Sequence, residues 1–453
     1  MNGRLIAGCM TAGLLTAQLP GCNLTASVES MLSPPRLTME QEQIYQALQI
    51  AAGSQISLKY PKSGERLSAF IVEDLDGDGS DEAVVFYERG RSAADENPLR
   101  ICLLDQTNGG WNAISNEQAA GAEIDRVDLE SLGSNPRMNL IISYSMVDGA
   151  EHAVQVFHYE DGQLIENRND PYSVMALRDL DGDGTTELFL ATAAKNTQPA
   201  KATVYALNPG GKYIQYDLSL PETLSDFSRV TYGMLPVGTG QEQIPVVYMD
   251  GSSGATNVQT VVLSYRDQQL SLLYADSADR FPKTERAGGY QTMDIDDDGE
   301  AEIPVNMAFY GSSNVTDPNS LRMTNWYVCR NSLLMREHSS YYSVQNNFVF
   351  LMPKRWEHRV TAVQENDEIV FYTFEQSQDN AAAETENAEP VLLDQLLRLA
   401  VVADPIAADA MQSEGYLLLR KQNSRYYLGR IGTGDSSMHL TQSELLVSMR
   451  FLQ

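Results

Sequence analysis

Three short segments of the chain carry acidic side chains at a spacing suited to a hard cation. Each has aspartates at positions 1, 3 and 5, a glycine at position 6 and a glutamate at position 9. Ca²⁺ takes about 6–8 oxygen ligands, which such carboxylates and the carbonyl at position 7 supply. The sequence therefore predicts up to three structural Ca²⁺ ions. The predicted ligands are Asp74, Asp76, Asp78, the Ser80 carbonyl and Glu82 in the first loop, Asp179, Asp181, Asp183, the Thr185 carbonyl and Glu187 in the second loop, and Asp294, Asp296, Asp298, the Glu300 carbonyl and Glu302 in the third loop.

The residues around the loops exclude one familiar kind of calcium site. An EF-hand needs a glutamate at position 12 and flanking helices. Position 12 is occupied here by Val85, Leu190 and Val305, which lie in apolar, strand-like runs. Acidic turns without a metal are also disfavoured, because carboxylates crowded into one turn repel each other without a counter-ion.

The elements that position these loops repeat along the chain. The loops begin 105 and then 115 residues apart, at 74, 179 and 294, which is twice a unit of fifty-odd residues. Strand–turn–strand segments without the acidic residues lie half-way, at 127–133 and 233–240. A hairpin with Asn-Gly, Asp-Gly or Gly-Gly turns follows most loops. Units of four antiparallel strands predict an all-β propeller of about five to seven four-stranded blades. The clear units are 66–118, 119–168, 169–222, 223–278 and 279–340.

The pattern D-x-D-x-D-G-x-x-E between two strands resembles the FG-GAP/VCBS repeat family, the propeller type of integrin α-subunits and many secreted bacterial proteins. The resemblance covers roughly residues 66–340, within a predicted propeller domain at 54–340. It implies that positions 1, 3, 5, 7 and 9 of the three loops are the calcium ligands.

The first residues have the features of a bacterial lipoprotein. Arg4 precedes an apolar run at 5–15, which is too short to cross a bilayer. The run leads to Leu-Pro-Gly-Cys at 19–22, which resembles a lipobox. This resemblance implies that residues 1–21 are a signal peptide and that Cys22 is lipidated. The protein would then lie outside the cytoplasm, anchored to a bacterial membrane.

Two further elements precede the repeats. Residues 22–37 are rich in Ser, Thr and Pro and predict a tether. Residues 38–53 predict a helix, because Thr38 and Gln41 match a capping box and Gly53 is a stop signal.

After residue 340 the rhythm changes, and residues 341–453 predict a small C-terminal α+β module. The alternative is that its strands complete the propeller as a sixth blade. The expected elements are strands at 347–356 and 359–375, a disordered loop at 376–390, a helix at 391–403, a strand pair at 415–420 and 426–430, and a closing helix at 441–452.

Composition and motifs limit the function. With 32 Lys and Arg against 61 Asp and Glu, the net charge is −29, which excludes nucleic acid as a partner. The five histidines show no metal-ligand pairing, and no catalytic motif is present, so an enzyme is disfavoured. The favoured function is a lipid-anchored calcium-binding module that recognises a protein or a glycan. The alternatives are a carboxylate-based polysaccharide hydrolase or lyase, and a structural accessory subunit of an envelope complex.

Overall fold

The computed structural model describes residues 37–53, 55–90, 97–107, 109–146, 151–236, 243–311, 321–375, 390–434 and 437–452. The predictions for the signal peptide, Cys22, nearly all of the tether and most of the 376–390 loop lie outside these residues. The described chain is almost entirely antiparallel β-structure in six sheets. Its helices are α1 (Met39–Ala52), α2 (Pro405–Ser413) and α3 (Gln442–Ser448).

The first three sheets follow one another along the chain. The first sheet contains β1 (Ile56–Leu58), β2 (Phe70–Glu73), β3 (Glu82–Arg89), β4 (Leu99–Thr107) and β5 (Gly110–Gln118). The second contains β6 (Glu123–Ser131), β7 (Met138–Ser145), β8 (His152–Glu160) and β9 (Gln163–Tyr172). The third contains β10 (Val174–Arg178), β11 (Glu187–Thr192), β12 (Lys201–Leu207) and β13 (Tyr213–Ser219).

The remaining three sheets continue this series. The fourth contains β14 (Leu224–Pro236), β15 (Gln243–Ser253), β16 (Asn257–Arg266), β17 (Gln269–Tyr274) and β18 (Arg286–Ala287). The fifth contains β19 (Ile303–Ala308), β20 (Arg322–Arg330), β21 (Leu333–Ser343), β22 (Phe348–Leu351) and β28 (Met449–Phe451). The sixth contains β23 (Val360–Glu365), β24 (Glu368–Glu375), β25 (Val391–Val402), β26 (Leu417–Gln422) and β27 (Arg425–Ile431).

The inner strands of the first four sheets are largely buried on both faces, and this explains their sequences. β3, β7, β8 and β16 have nearly continuous runs of buried residues. The outer strands β5 and β13 alternate between more and less exposed side chains instead. Continuous apolar runs are expected where both faces of a strand are covered, as between two neighbouring sheets or between a sheet and a helix.

Buried clusters join every sheet to the next one in the chain. The first and second sheets share one cluster, the second and third another, and the series continues to the fifth and sixth. Among the described residues, no buried cluster joins the sixth sheet to the first. The outer face of the first sheet packs on α1, and that of the sixth packs on α2.

Helix α1 forms where the capping pattern predicts it. The Thr38 hydroxyl accepts from the Gln41 N–H, and the Gln41 side chain accepts from the Thr38 N–H. Ile44 and Leu48, four residues apart and therefore on one helix face, are both fully buried against the first sheet. In the described parts of the chain, no helix is both long and apolar enough to span a membrane.

The C-terminal third differs from the sequence prediction in two places. The predicted helix at 391–403 is wrong, because Val391–Val402 is strand β25, paired with both β24 and β27. The predicted closing helix ends early, at Ser448, and β28 then adds to the fifth sheet through β22. The sixth sheet shares one core with the fifth. Whether residues 341–453 form a separate module or a sixth blade of the propeller stays a prediction.

Candidate metal centres

The three acidic loops occupy equivalent places in alternate sheets. The first loop joins β2 to β3, and the second joins β10 to β11. The third leads into β19 from Met293, which forms an isolated bridge with Glu302. The corresponding connection of the second sheet, between β6 and β7, lacks the acidic residues. Metal loops are therefore predicted for the first, third and fifth sheets.

The aspartate at position 1 organises each turn through both of its carboxylate oxygens. In the first loop, Asp74 accepts the Gly77 N–H at 2.7 Å and the Gly79 N–H at 3.0 Å. Asp179 and Asp294 accept the N–H groups at positions 4 and 6 in the same way. The glycine at position 6 has φ between 87° and 92° in all three loops, where an L side chain is strained.

The glutamate at position 9 links the end of each loop to its beginning through a hydrogen bond. Its Oε2 accepts the backbone N–H of the residue at position 2 at 2.8–2.9 Å in all three loops. These side chains lie at the start of a strand, where the packed neighbours bury them almost completely. The exposed fractions are 1% for Glu82, 2% for Glu187 and 0% for Glu302.

Within each loop, carboxylate oxygens converge on one point. In every group one oxygen from each of three residues lies within 4.8 Å of the others. Three of the predicted carboxylate ligands, Glu82, Asp183 and Asp298, stand outside the groups of their own loops. The groups are Asp74, Asp76 and Asp78 in the first loop, Asp179, Asp181 and Glu187 in the second, and Asp294, Asp296 and Glu302 in the third.

Burial and nearby carboxylates make the ionised form of the three glutamates unfavourable. Burial, followed by repulsion from the nearby aspartates, raises the pKa of Glu82 and of Glu187 to about 7, and that of Glu302 to about 8. Burial also raises the pKa of Asp181, with Asp183 adding to the effect. The Oε1 atom of Glu302 is buried and has no hydrogen-bond partner. A cation at the point of convergence would relieve both the repulsion and this unpaired oxygen.

The second and third loops lie at the seams between sheets. The Gly133 N–H of the second sheet donates to the Thr186 carbonyl beside the second loop at 2.7 Å. The Met234 N–H of the fourth sheet donates to the Gly299 carbonyl in the third loop at 3.3 Å. Leu180 at position 2 of the second loop is buried in the core shared with the fourth sheet. An ion that stiffened such a loop would also stiffen the surface on which the neighbouring sheets dock.

The third loop has two neighbours that sequence reasoning missed. His338, interpreted from the sequence as having no ligand role, places Nε2 2.9 Å from Asp296 Oδ2. Arg330 pairs with Glu300 and with Glu337, each at 2.9 Å. These residues lie on β20 and β21, more than 25 residues after the loop, so no local spacing indicates the contact.

A groove lies between the second and third sheets, away from the third loop. Its volume is about 790 Å³. His152 and Tyr172 stack at its edge with ring centroids 5.5 Å apart, and the Nδ1 of His152 lies 3.0 Å from Asp125 Oδ2. The polar lining includes Asp170, Lys195, Lys201, Thr203, Ser225 and Asp226.

No protein-family model matches this chain, and no curated protein matches it. Among solved structures, the chain is similar to the exotype rhamnogalacturonan lyase YesX, with 11% identity, 74% of this chain and 75% of that chain covered, and a TM-score of 0.27. It is similar to rhamnogalacturonan lyase YesW, with 12% identity and a TM-score of 0.26, and the match covers 82% of this chain and 90% of that chain. It is similar to a fructosyltransferase from A. japonicus, with 11% identity and a TM-score of 0.23, and the match covers 68% of this chain and 64% of that chain. At these values the likeness carries no information about activity.

Proposed function

We propose that this protein is a lipid-anchored, extracytoplasmic, calcium-binding recognition or adhesion module for a protein or a glycan. The observation that carries the proposal is the convergence of three carboxylate oxygens in each of three equivalent loops. The six sheets would be blades of the propeller type, stacked in an open series in which no buried cluster of the described residues joins the sixth sheet to the first. Ca²⁺ would serve this array as a structural ion rather than as a reactant.

The hydrogen bonds and burial within the loops support a structural role for the ions. Each loop contains backbone N–H groups that its own carboxylates hold, so the ligands are preformed before an ion arrives. Buried glutamates with raised pKa values add a cost that a cation removes. Ions that bind only the folded state stabilise it by mass action.

The test is thermal unfolding of the full chain with Ca²⁺ or with EDTA. We expect EDTA to lower the melting temperature and Asp181→Asn to reproduce part of that loss. Asp267→Asn is the matched control, because Asp267 lies in a hairpin outside the loops and its side chain is 90% exposed. Equal melting curves with Ca²⁺ and EDTA, together with no heat of Ca²⁺ binding by titration calorimetry, would reject the metal-binding function.

We assign the recognition surface to the groove between the second and third sheets. Tyr172 offers an aromatic face for a sugar ring or an apolar side chain, and the carboxylates, amines and hydroxyls beside it offer hydrogen bonds. Lys195 pairs with Glu151, and Lys201 pairs with Asp217, so the local charge is nearly balanced despite the acidic surface. This balance favours a neutral ligand such as an uncharged glycan.

Binding to a panel of neutral and acidic polysaccharides tests this assignment. We expect Tyr172→Ala to weaken binding about fivefold, since aromatic stacking of this kind is worth roughly 1 kcal/mol. Depolymerisation of any of these polysaccharides would instead support the hydrolase or lyase alternative. Stable co-purification with an envelope complex, with no glycan bound, would support the accessory-subunit alternative.

The membrane anchor is tested separately. We expect the full-length protein to incorporate a radiolabelled fatty acid and to fractionate with the membrane. Cys22→Ser should abolish both, because the thiol is the acylation site. Labelling that persists in this variant would reject lipidation at Cys22.

A further inference from the structure

The third loop has a set of possible ligands that the other two loops lack. Asp296, Glu337 and His338 each offer one ligand atom, and these three atoms lie within 4.8 Å of one another. Ca²⁺ sites use oxygen ligands, whereas an imidazole nitrogen beside carboxylates suits zinc and similar ions. We propose that Asp296, Glu337 and His338 form a second kind of metal site, which binds a divalent transition ion such as Zn²⁺ next to the third calcium position.

A β-bulge brings the two adjacent ligands onto one side of their strand. Successive side chains of a regular strand point to opposite faces. In the pairing of β20 with β21, Trp326 lies opposite His338 and Tyr327 lies opposite Arg336, so Glu337 is an extra residue. The bulge breaks the alternation, and both Glu337 and His338 reach Asp296.

The first and second sheets have a similar bulge, but the residues at those bulges are not typical metal ligands. In the first sheet, Ile114 is the extra residue of β5 and Ser115 follows it. In the second sheet, Asn167 is the extra residue of β9 and Arg168 follows it. The fifth sheet therefore differs from the first and second in having Glu337 and His338 at the bulge, although the bulge itself occurs in all three sheets.

The two oxygens of Asp296 have different surroundings. Oδ2 lies 2.9 Å from His338 Nε2. Two ligand atoms about 2.1 Å from a tetrahedral zinc ion are about 3.4 Å apart, so a bound ion would replace this hydrogen bond after a shift of about half an ångström. Oδ1 is buried with no hydrogen-bond partner, and so is Oε1 of Glu302, a fully buried side chain in the third loop. Asp296 is thus placed to bridge the calcium position through Oδ1 and the new site through Oδ2.

The new site has access to solvent and to water ligands. A cavity of about 210 Å³ is lined by Glu337 and His338 themselves, with Tyr310, Arg336 and Lys354 around them. Arg330 pairs with Glu337 Oε1 at 2.9 Å, so an ion at this site would compete with that ion pair. Three protein ligands with an open side are the arrangement of a metal site that retains water.

The experiment uses the full chain stripped with EDTA and then titrated with Zn²⁺. We expect the wild-type protein to bind Zn²⁺ with a nitrogen ligand and His338→Ala to bind it at least about tenfold more weakly. His152→Ala is the matched control, because His152 also lies 3.0 Å from an aspartate oxygen but belongs to no such three-residue group among the described residues. Equal Zn²⁺ affinity in the wild type and in His338→Ala would overturn the proposal.

Two further measurements keep the result independent of folding and of the calcium proposal. The visible spectrum of the Co²⁺-loaded wild type should show bands of a nitrogen-containing, low-coordinate site, and a spectrum like that of aqueous Co²⁺ would overturn the proposal. Asp179→Asn in the second loop should weaken Ca²⁺ binding and leave Zn²⁺ affinity unchanged. Zn²⁺ affinity that falls as much in Asp179→Asn as in His338→Ala would count against a separate site.

Discussion

The glutamate at position 9 fixes each acidic loop and, in the second and third loops, also belongs to the group of possible metal ligands. One oxygen accepts a backbone N–H and fixes the loop to the strand that follows it. Glu187 and Glu302 also belong to the converging groups of their loops, whereas Glu82 does not, and Oε1 of Glu302 has no hydrogen-bond partner. The same burial that makes this residue a rigid anchor makes its ionised form unfavourable without an ion. The metal response of the protein should therefore depend on the ionisation of these glutamates.

This dependence predicts how pH changes calcium stabilisation. The folded-state pKa values of about 7 to about 8 lie above the usual 4.5, so the metal-free protein loses stability as pH rises from about 4.5 through that range. Ca²⁺ binds the ionised form, so its stabilising effect should increase over the same range. We expect a larger Ca²⁺-induced rise in melting temperature at about pH 8 than at about pH 5.5. Scanning calorimetry at both values checks this, and an equal rise would contradict it.

Replacing Glu187 by glutamine should separate its two tasks. Glu187→Gln removes the charge, while the amide oxygen can still accept the Leu180 N–H. We expect the variant in EDTA at about pH 8 to melt at or above the wild-type temperature and to gain less from Ca²⁺. Glu222→Gln, at an exposed position outside the loops, should behave as wild type in both conditions. A variant that melts lower in EDTA would show that the carboxylate charge itself stabilises the loop.

The connections between strands hold neighbouring sheets together as well as joining strands within a sheet. Leu132 and Gly133, after β6, form parallel bridges to Thr186 and Leu207 of the third sheet. Gly133 has a φ of 63°, and a Cβ there would lie 2.6 Å from the Leu207 carbonyl oxygen. The close approach of two backbones thus requires glycine at this seam.

Gly133→Ala should therefore destabilise the protein strongly. We expect a loss of about 2–4 kcal/mol in the free energy of unfolding, from about 1 kcal/mol of backbone strain plus the cost of separating the two sheets. The matched control is Gly162→Ala in the same sheet, where φ is 77° and no atom lies within 4 Å of the added Cβ. Urea unfolding measures both, and equal losses would show that the seam tolerates the methyl group.

The molecule as a whole is a series of sheets with a helix at each end. Helix α1 buries Ile44 and Leu48 against the first sheet, and α2 buries Ala408 against the sixth. Each core links only consecutive sheets in the part of the chain that the structure describes. In such an array, stability passes between nearest neighbours. A substitution that destabilises the first sheet should therefore affect the stability of later sheets less and less along the series.

Ile44→Asp tests this organisation. The charged side chain should detach α1 and cost about 3–5 kcal/mol, because an apolar core position receives an unpaired charge. We expect hydrogen exchange to increase most in residues 70–118, less in 123–172, and not at all in 360–431. Ile50→Asp, on the same helix at a position 88% exposed, should leave exchange unchanged. Equal loss of protection in the first and sixth sheets would instead indicate a closed ring.

Strand β25 shows where sequence reasoning failed. Its residues, VLLDQLLRLAVV, satisfy a helical pattern as well as a strand pattern, since such apolar runs are ambiguous in period. β24 and β27 flank it on both sides, and Leu396 and Leu397 are fully buried. β24 ends 16 residues before β25, and β27 begins 23 residues after it. Pairing with both strands, which no pattern within β25 itself indicates, makes this segment a strand instead of a helix.

The sequence by itself determined the acidic turns, the capping box of α1 and the four-stranded rhythm, because each depends on contacts within a few residues or on regular repetition. It could not indicate which carboxylates converge, that Glu337 and His338 approach Asp296, or that helices cover both end sheets. Those features arise when strands far apart in the chain pair and when whole sheets pack, and no spacing along the chain encodes the resulting distances. Only the tertiary structure could decide them, because burial and close approach are properties of the assembled sheets.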